Sequence, residues 1–269
     1  MRRLGLCLSG GGARGAYQVG CLKALEELGI LEKVYAISGT SIGSVNASLL
    51  ACKTVDEMKD LWINYPASDF NKDTSIFKML RERKMEVVNK GIYEIKALEQ
   101  LLEDNLDLDK LKQKKVFVTL SPAGMDNEGA MGLLKASFRH YLRNDSQVIY
   151  SPLHEQDKKD ITTQILASCS IPFVFPSVSL EGQQVFDGGL FDNVPVKPLV
   201  DAGCDTVIVI HLHRIFFINK NRFPGINLYE IRSWKSLGGL LNFDSDQALK
   251  RFNMGYEDAM KYFKENPIN

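Results

Sequence analysis

Short, largely apolar runs alternate in this sequence with longer segments that have helical spacing, and this alternation limits the possible folds more than any other feature. Apolar runs of the buried-strand type occupy residues 4–8, 33–37, 115–120 and 205–212. Segments with helical spacing follow the first two runs, at residues 14–28 and 42–52. Strands that are apolar throughout are typical of parallel sheets that helices cover on both faces. The sequence therefore predicts an α/β fold, a three-layer α/β/α arrangement around a mostly parallel central sheet.

The organisation along the chain indicates a single domain over residues 1–269, without repeats or linkers. The motifs described below fall within residues 4–210, and residues 211–269 form a C-terminal strand and helical extension. This extension ends in an amphipathic helix at about residues 245–263. Residues 54–112 have a charged, helical pattern without a motif. Residues 121–160 also lack a motif. The sequence predicts loops around a hairpin at residues 123–160, with strand signals at 133–138 and 147–149.

The composition indicates the cellular compartment of the protein and the classes of partner that it does not bind. The 33 basic residues balance 33 acidic ones, which argues against a global electrostatic attraction to nucleic acid. No stretch reaches the roughly 18 apolar residues of a transmembrane helix, and the apolar run at 4–8 is too short for a signal peptide. Five scattered cysteines are typical of buried thiols in a reducing compartment. We therefore expect a soluble, cytoplasmic protein without a signal peptide or transmembrane segment.

A glycine-rich loop, Gly10 to Gly15, connects the first predicted strand to the first predicted helix. Successive glycines allow several backbone N–H groups to converge, and the N-terminal end of the following helix favours negative charge, so the loop is a candidate anion site. The spacing Gly10-x-Gly12-x-x-Gly15 also matches a dinucleotide fingerprint, although the second strand lacks the acidic residue that would bind a ribose. The loop alone leaves a nucleotide and another anion as open alternatives.

The second predicted strand ends in Gly39-Thr40-Ser41-Ile42-Gly43, immediately before a helix. A G-x-S-x-G sequence in this strand-to-helix position is typical of a nucleophilic serine on a sharp turn. Backbone N–H groups of the neighbouring glycine loop would then stabilise the oxyanion that forms when the serine attacks a carbonyl. The pair of sites favours acyl-transfer chemistry.

The base that activates the serine has two interpretations. Asp187 follows an apolar stretch and precedes Gly188 and Gly189, so its carboxylate is a candidate for a serine–aspartate dyad. His211 and His213 close the strand at 205–212 and are candidates for a serine–histidine triad. Spacing alone leaves both interpretations open.

Together these motifs resemble the patatin-like phospholipase family. The resemblance rests on three signatures in the family's order, at Gly10 to Gly15, Gly39 to Gly43 and Asp187 to Gly189. The stretches Ala167 to Pro172 and Asn193 to Pro195 also look familial, and the run from Leu237 to Phe243 is similar to small bacterial members. The resemblance extends over almost the whole chain and implies a patatin-like fold.

The resemblance implies a serine–aspartate dyad, with Ser41 as nucleophile and Asp187 as base. It implies an oxyanion hole at Gly10, Gly11, Gly12 and Arg14, supported by the motif glycines Gly39, Gly43, Gly188 and Gly189. The implied activity is hydrolysis of acyl esters in lipids, of the phospholipase A or lysophospholipase type, without a metal or cofactor. The alternatives are an esterase or thioesterase for small soluble acyl compounds and, less favoured, a non-catalytic nucleotide-binding protein.

The expected partners are lipid or acyl ester substrates, with no nucleic acid. An apolar cluster at residues 215–218, followed by Lys220 and Arg222, also suggests peripheral contact with a membrane surface. The sequence does not define an oligomeric state.

Overall fold

The structure of this chain is a computed structural model. It describes residues 3–64, 98–122, 148–169, 192–214 and 218–268, together with the backbone of two strands at 178–180 and 183–187.

The described strands form one mixed sheet with a parallel centre. Five parallel strands lie side by side in the order β3-β2-β1-β7-β8, and β4, β5 and β6 extend the sheet in antiparallel pairing around β3. The strands are β1 (Leu4–Leu8), β2 (Val34–Gly39), β3 (Lys115–Pro122), β4 (Ile149–Pro152), β5 (Val178–Leu180), β6 (Gln183–Asp187), β7 (Thr206–His211) and β8 (Asn227–Arg232). The mostly parallel sheet predicted from the apolar runs is confirmed.

Helices follow the strands as the alternation predicts. The helices are α1 (Gly15–Glu27), α2 (Ile42–Cys52), α3 (Val55–Asn64), α4 (Leu108–Lys112), α5 (Lys158–Ser168), α6 (Lys197–Asp201) and α7 (Ser245–Glu265). Residues 98–105 are helical as well. Helix α2 has the predicted bounds, and α1 and α7 agree with the prediction within two residues.

Apolar side chains pack on both faces of the sheet, which is why its central strands have no polar face. On one face Leu6, Leu8 and Ile208 belong to the same apolar cluster as residues of α1, α2 and α7. On the other face Cys7 and Val209 pack with Leu199 of α6. The buried character of β1 and β7 is complete, since every residue of both strands is buried.

The C-terminal helix α7 packs directly against α1. A Cβ atom at Gly20 would meet the carbonyl group of Phe252, and one at Gly255 would meet that of Tyr17. The two helix backbones therefore approach more closely than ordinary side chains allow. Tyr17 adds a hydrogen bond from its hydroxyl to Asp258, at 3.0 Å. The extension predicted for residues 211–269 is thus packed on the motif-bearing part of the chain.

Some sequence predictions fall outside the described residues, namely the strand signal at 133–138, most of the apolar cluster at 215–218, and Gly188 and Gly189. Within the described part of the chain, no helix combines the length and the apolar character needed to cross a membrane.

Candidate active site

Ser41 lies at the turn between β2 and α2, in a backbone conformation that residues other than glycine rarely adopt. Its φ and ψ angles are 54° and −127°, and it is the only non-glycine residue with positive φ among those the structure describes. Such strain costs about 1–3 kcal/mol and is typical of functional sites. A serine on a sharp strand-to-helix turn is the arrangement of a nucleophile elbow.

The turn is tight because its two flanking glycines and the end of β1 are in close contact. A Cβ atom at Gly39 would meet the carbonyl group of Gly43, and a Cβ atom at Gly43 would lie 2.8 Å from the carbonyl oxygen of Ser9. Larger residues at these positions would push α2 away from the sheet. This packing explains why glycines occur two residues before and two residues after Ser41.

Hydrogen bonds from β3 and α5 hold the turn. The hydroxyl of Ser168 accepts the Ser41 N–H at 3.0 Å and donates to the carbonyl of Thr119 at 2.8 Å. The Thr40 hydroxyl lies 3.0 Å from both the Thr119 hydroxyl and the Asp192 carbonyl oxygen. Sequence reasoning assigned no role to Ser168, and the only signal was its place in the familial stretch at 167–172.

The glycine loop lies beside the Ser41 turn. A Cβ atom built on Gly10 would be 3.2 Å from the Cβ of Ser41. Gly10 donates its N–H to the Asn193 carbonyl at 3.3 Å, and Ala13 donates to the Leu240 carbonyl at 2.7 Å. Between them, the N–H groups of Gly11 and Gly12 have no acceptor among the described residues. Two uncommitted amides next to a serine are suited to bind a developing oxyanion.

Arg14 follows these amides, and its side chain binds backbone carbonyls. Its Nε donates to Gly238 at 2.9 Å and its Nη1 to Leu212 at 3.3 Å. Its own N–H donates to Gly11 at 3.3 Å. In the structure, Arg14 therefore fixes the segments that follow β7 and β8 against the start of α1.

The backbone of Asp187 lies on the side of β3 that β2 occupies. Val118 pairs with Gly39 on one side and with Ser151 of β4 on the other. Leu120 pairs with the same β4 strand and, on its opposite side, with Asp187. Asp187 thus follows the end of β2, two residues further along β3 than Gly39, which corresponds to about 7 Å along the strand. The side chain of Asp187 is outside the described part.

The two candidate histidines occupy different environments. His211 is buried, and its Nε2 lies 3.0 Å from Oε2 of Glu230. His213 lies against the glycine loop, with its Nδ1 3.5 Å from Nη1 of Arg14. Burial, and then the positive charge of Arg14, lower the pKa of His213 to about 4. Burial also lowers the pKa of His211, although Glu230 opposes this shift. Both rings are therefore neutral at pH 7.

The sheet, the strained serine and the glycine loop define an α/β protein with an elbow-type serine site. The family model described as patatin-like phospholipase matches residues 6–200, and the chain belongs to this family. The matched region contains Ser41, Asp187 and the glycine loop, and it ends before β7, β8 and α7.

Curated relatives agree with this assignment, and a solved structure has a similar fold. The chain is 25% identical over 217 residues to lysophospholipase NTE1 of Cryptococcus neoformans, an alignment that covers 78% of this chain and 11% of that protein. It is 27% identical over 216 residues to NTE1 of Candida albicans, covering 77% and 13%. The chain thus spans only about a tenth of the length of these relatives. VipD from Legionella pneumophila has a similar fold, with a TM-score of 0.56, 14% identity, and coverage of 98% of this chain and 67% of that chain.

Proposed function

We propose that this chain is a serine hydrolase that cleaves acyl esters of lipids with a Ser41–Asp187 dyad. The observation that carries the proposal is the strained conformation of Ser41 beside the amide groups of Gly11 and Gly12, for which the described residues provide no acceptor. A Gly-Ser turn that only capped a helix would not require a positive φ at the serine. Membership of the patatin-like phospholipase family supports the same chemistry.

The reaction has two steps of acyl transfer. Asp187 accepts the Ser41 hydroxyl proton as Oγ attacks the ester carbonyl, and the Gly11 and Gly12 amides stabilise the tetrahedral oxyanion. The alcohol leaves with the proton that Asp187 held, and the acyl group remains on Ser41. Water then attacks the acyl-enzyme, giving its proton to Asp187, and Ser41 recovers a proton as the fatty acid departs.

Asp187 is favoured over a histidine as the base. Its backbone follows the end of β2, whereas His211 lies against Glu230 and His213 lies beside Arg14. A carboxylate is a weak base at neutral pH, so we expect Asp187 to act mainly through its position beside Ser41, which the geometry of β6 determines.

The substrate class follows from the family and from the relatives named lysophospholipases. A lipid substrate also implies reversible contact with a membrane surface. Trp234 supports this contact, since it is 72% exposed and stands two residues after the end of β8, at the carboxyl edge where Ser41 follows β2. Lys235, next to it, is exposed as well and suits anionic head groups.

Hydrolysis of lysophosphatidylcholine and of p-nitrophenyl butyrate by three variants tests the proposal. Ser41→Ala should abolish both activities, and Asp187→Asn should lower kcat by about 10³-fold or more, with the thermal midpoint largely retained. His213→Ala should retain most of its activity. An active Ser41→Ala enzyme would rule out the mechanism, and a folded but inactive His213→Ala enzyme would replace the dyad with a triad.

Surface contact has a separate test. Trp234→Ser should lower activity on vesicles of phosphatidylcholine and phosphatidylglycerol much more than activity on p-nitrophenyl butyrate. Equal losses on both substrates would contradict a role for Trp234 at the membrane. Leu249→Ser, at another exposed apolar residue, on the outer part of α7, is the matched control and should leave both activities unchanged.

A further inference from the structure

The loop at residues 237–242 contacts the glycine loop although it lies outside the part of the chain matched to the family. The 237–242 loop connects β8 to α7. Its Leu240 carbonyl accepts the Ala13 N–H at 2.7 Å, and its Gly238 carbonyl accepts Nε of Arg14 at 2.9 Å. A Cβ atom at Gly12 would meet the same Leu240 carbonyl. The 237–242 loop therefore forms the outer wall of the glycine loop.

Arg251 of α7 joins the two loops. It is only 1% exposed, and all four of its described acceptors are backbone carbonyl oxygens. Three belong to the 237–242 loop, at 2.7 Å from Nε to Leu237, 3.1 Å from Nη2 to Gly239 and 2.6 Å from Nη1 to Asn242. The fourth is the carbonyl of Ala13, at 2.8 Å from Nη1.

These contacts fix both polar backbone atoms of Ala13. The N–H of Ala13 is bound to Leu240 and its carbonyl is bound to Arg251, while Gly10 is held from the other side by Asn193. The N–H groups of Gly11 and Gly12, which have no acceptor in the described part of the chain, lie between these two anchors. Glycine has the largest backbone freedom of any residue, so two glycine amides keep a fixed direction only when their neighbours are held.

The guanidinium group of Arg251 also places a buried positive charge next to the glycine loop. Burial and the neighbouring positive charge of Arg14 lower the pKa of Arg251, but an arginine remains charged at neutral pH. A positive charge behind the loop favours the negative charge that develops on the substrate oxygen more than it favours the neutral ester. Such an arrangement stabilises the transition state selectively.

We propose that Arg251 is a positioning residue for the oxyanion hole, acting through the Ala13 carbonyl on the Gly11 and Gly12 amides. The proposal rests on the proposed acyl transfer at Ser41 and adds α7 and the 237–242 loop to the active-site unit. An arginine is required because one planar group must donate to four carbonyls in different directions, which the single ammonium group of a lysine does not do.

Steady-state kinetics on p-nitrophenyl butyrate, with kcat and KM determined separately, test this role. Arg251→Met should lower kcat about 10- to 100-fold with KM nearly unchanged, because misplaced donors raise the barrier of the chemical step. The rate constant for inactivation by a fluorophosphonate should fall by a similar factor, since its phosphoryl oxygen uses the same amides. Arg251→Lys, which keeps the charge and the stem, should recover part of kcat.

Phe252→Leu is the matched control, since Phe252 is the next residue of α7 and is also buried, but its side chain belongs to the apolar core. It should lower the thermal midpoint while kcat stays within about twofold of the wild type. Equal kcat values for Arg251→Met, Arg251→Lys and Phe252→Leu, in an enzyme whose Ser41 is labelled, would overturn the role of Arg251. Absence of label on wild-type Ser41 would instead overturn the proposed function. If Arg251→Met does not fold, Arg251→Lys alone decides, and an unchanged kcat in that variant contradicts the proposal.

Discussion

At the residue scale, Ser41 combines a backbone conformation suited to glycine with a side chain suited to nucleophilic attack. A φ of 54° is maintained by the contact between Gly39 and Gly43 and by the hydrogen bond from the Ser41 N–H to Ser168. The surrounding structure thus offsets a local strain that a free chain would relieve. The strained backbone at Ser41 and the hydrogen bond that holds it lead to two predictions about single residues.

Ser41→Gly should be more stable than Ser41→Ala, although both variants lack the hydroxyl. Glycine adopts a positive φ without the steric cost of a Cβ atom, so we expect an advantage of about 1 kcal/mol in the free energy of unfolding. Chemical denaturation of the two variants measures the difference. Equal stability, or a more stable alanine variant, would show that the turn is not strained.

Ser168→Ala should weaken both folding and catalysis. It removes the acceptor of the buried Ser41 N–H and a donor to Thr119, which costs about 1–3 kcal/mol of stability. The turn that carries Ser41 then loses a hydrogen bond that holds it, so kcat should fall while KM changes little. Ser44→Ala is the control, because the Ser44 hydroxyl donates to the Ser41 carbonyl, so this variant leaves the hydrogen bond of the Ser41 N–H in place. A Ser168→Ala enzyme with wild-type kcat would contradict this role.

At the element scale, the sequence predicts best those strands and helices whose burial is uniform. β1, β2 and β7 are buried and mostly apolar because helices cover both faces of the sheet, and α1, α2 and α7 show helical spacing. The sequence predicts a strand within residues 211–269 but does not locate β8, because Glu230 and Arg232 are charged residues within a partly exposed strand. It is held by parallel pairing with β7, which no local pattern reveals.

Local sequence patterns also reveal only part of the candidate site. The local motifs indicate Ser41, the glycine loop and Asp187, since each is a short sequence in a defined element context. Ser168 and Arg251 were missed because their partners are distant in sequence, 127 residues for the Ser41 N–H and 238 residues for the Ala13 carbonyl. Contacts of that range are set by the fold rather than by spacing.

The crossing of α1 and α7 gives a prediction for one element pair. Gly255→Ala should destabilise the protein by about 1–3 kcal/mol, because the new Cβ atom meets the Tyr17 carbonyl and the helices must separate. Alanine is otherwise the better helix former, so propensity alone predicts the opposite sign. Asn253→Ala, at an exposed position of the same helix, is the control and should not destabilise. A stabilising Gly255→Ala substitution would contradict the close packing.

At the scale of the whole molecule, acid should weaken the fold through its neutral histidines. The pKa of His213 is about 4 in the folded protein and about 6.5 in an unfolded chain. Between these values the unfolded state binds a proton that the folded state does not, so stability is present above pH 6.5 and is lost as pH falls toward 4.

Denaturation at pH 7 and pH 5 tests this linkage. We expect His213→Gln to lose about 1–2 kcal/mol less than the wild type between the two pH values, after allowing for solvent screening. Lys261→Gln, on the exposed side of α7, is the control and should follow the wild type. An identical acid loss in wild type and His213→Gln would contradict a buried neutral ring at this position.

The proposed mechanism requires Ser41 to be an activated nucleophile beside an oxyanion site. Its most direct test is to label the protein with a fluorophosphonate and to map the modified peptide by mass spectrometry. We expect one adduct, on Ser41, with labelling lost in Ser41→Ala and strongly slowed in Asp187→Asn. Stable labelling at another serine, or no labelling of a folded, active wild-type enzyme, would contradict it.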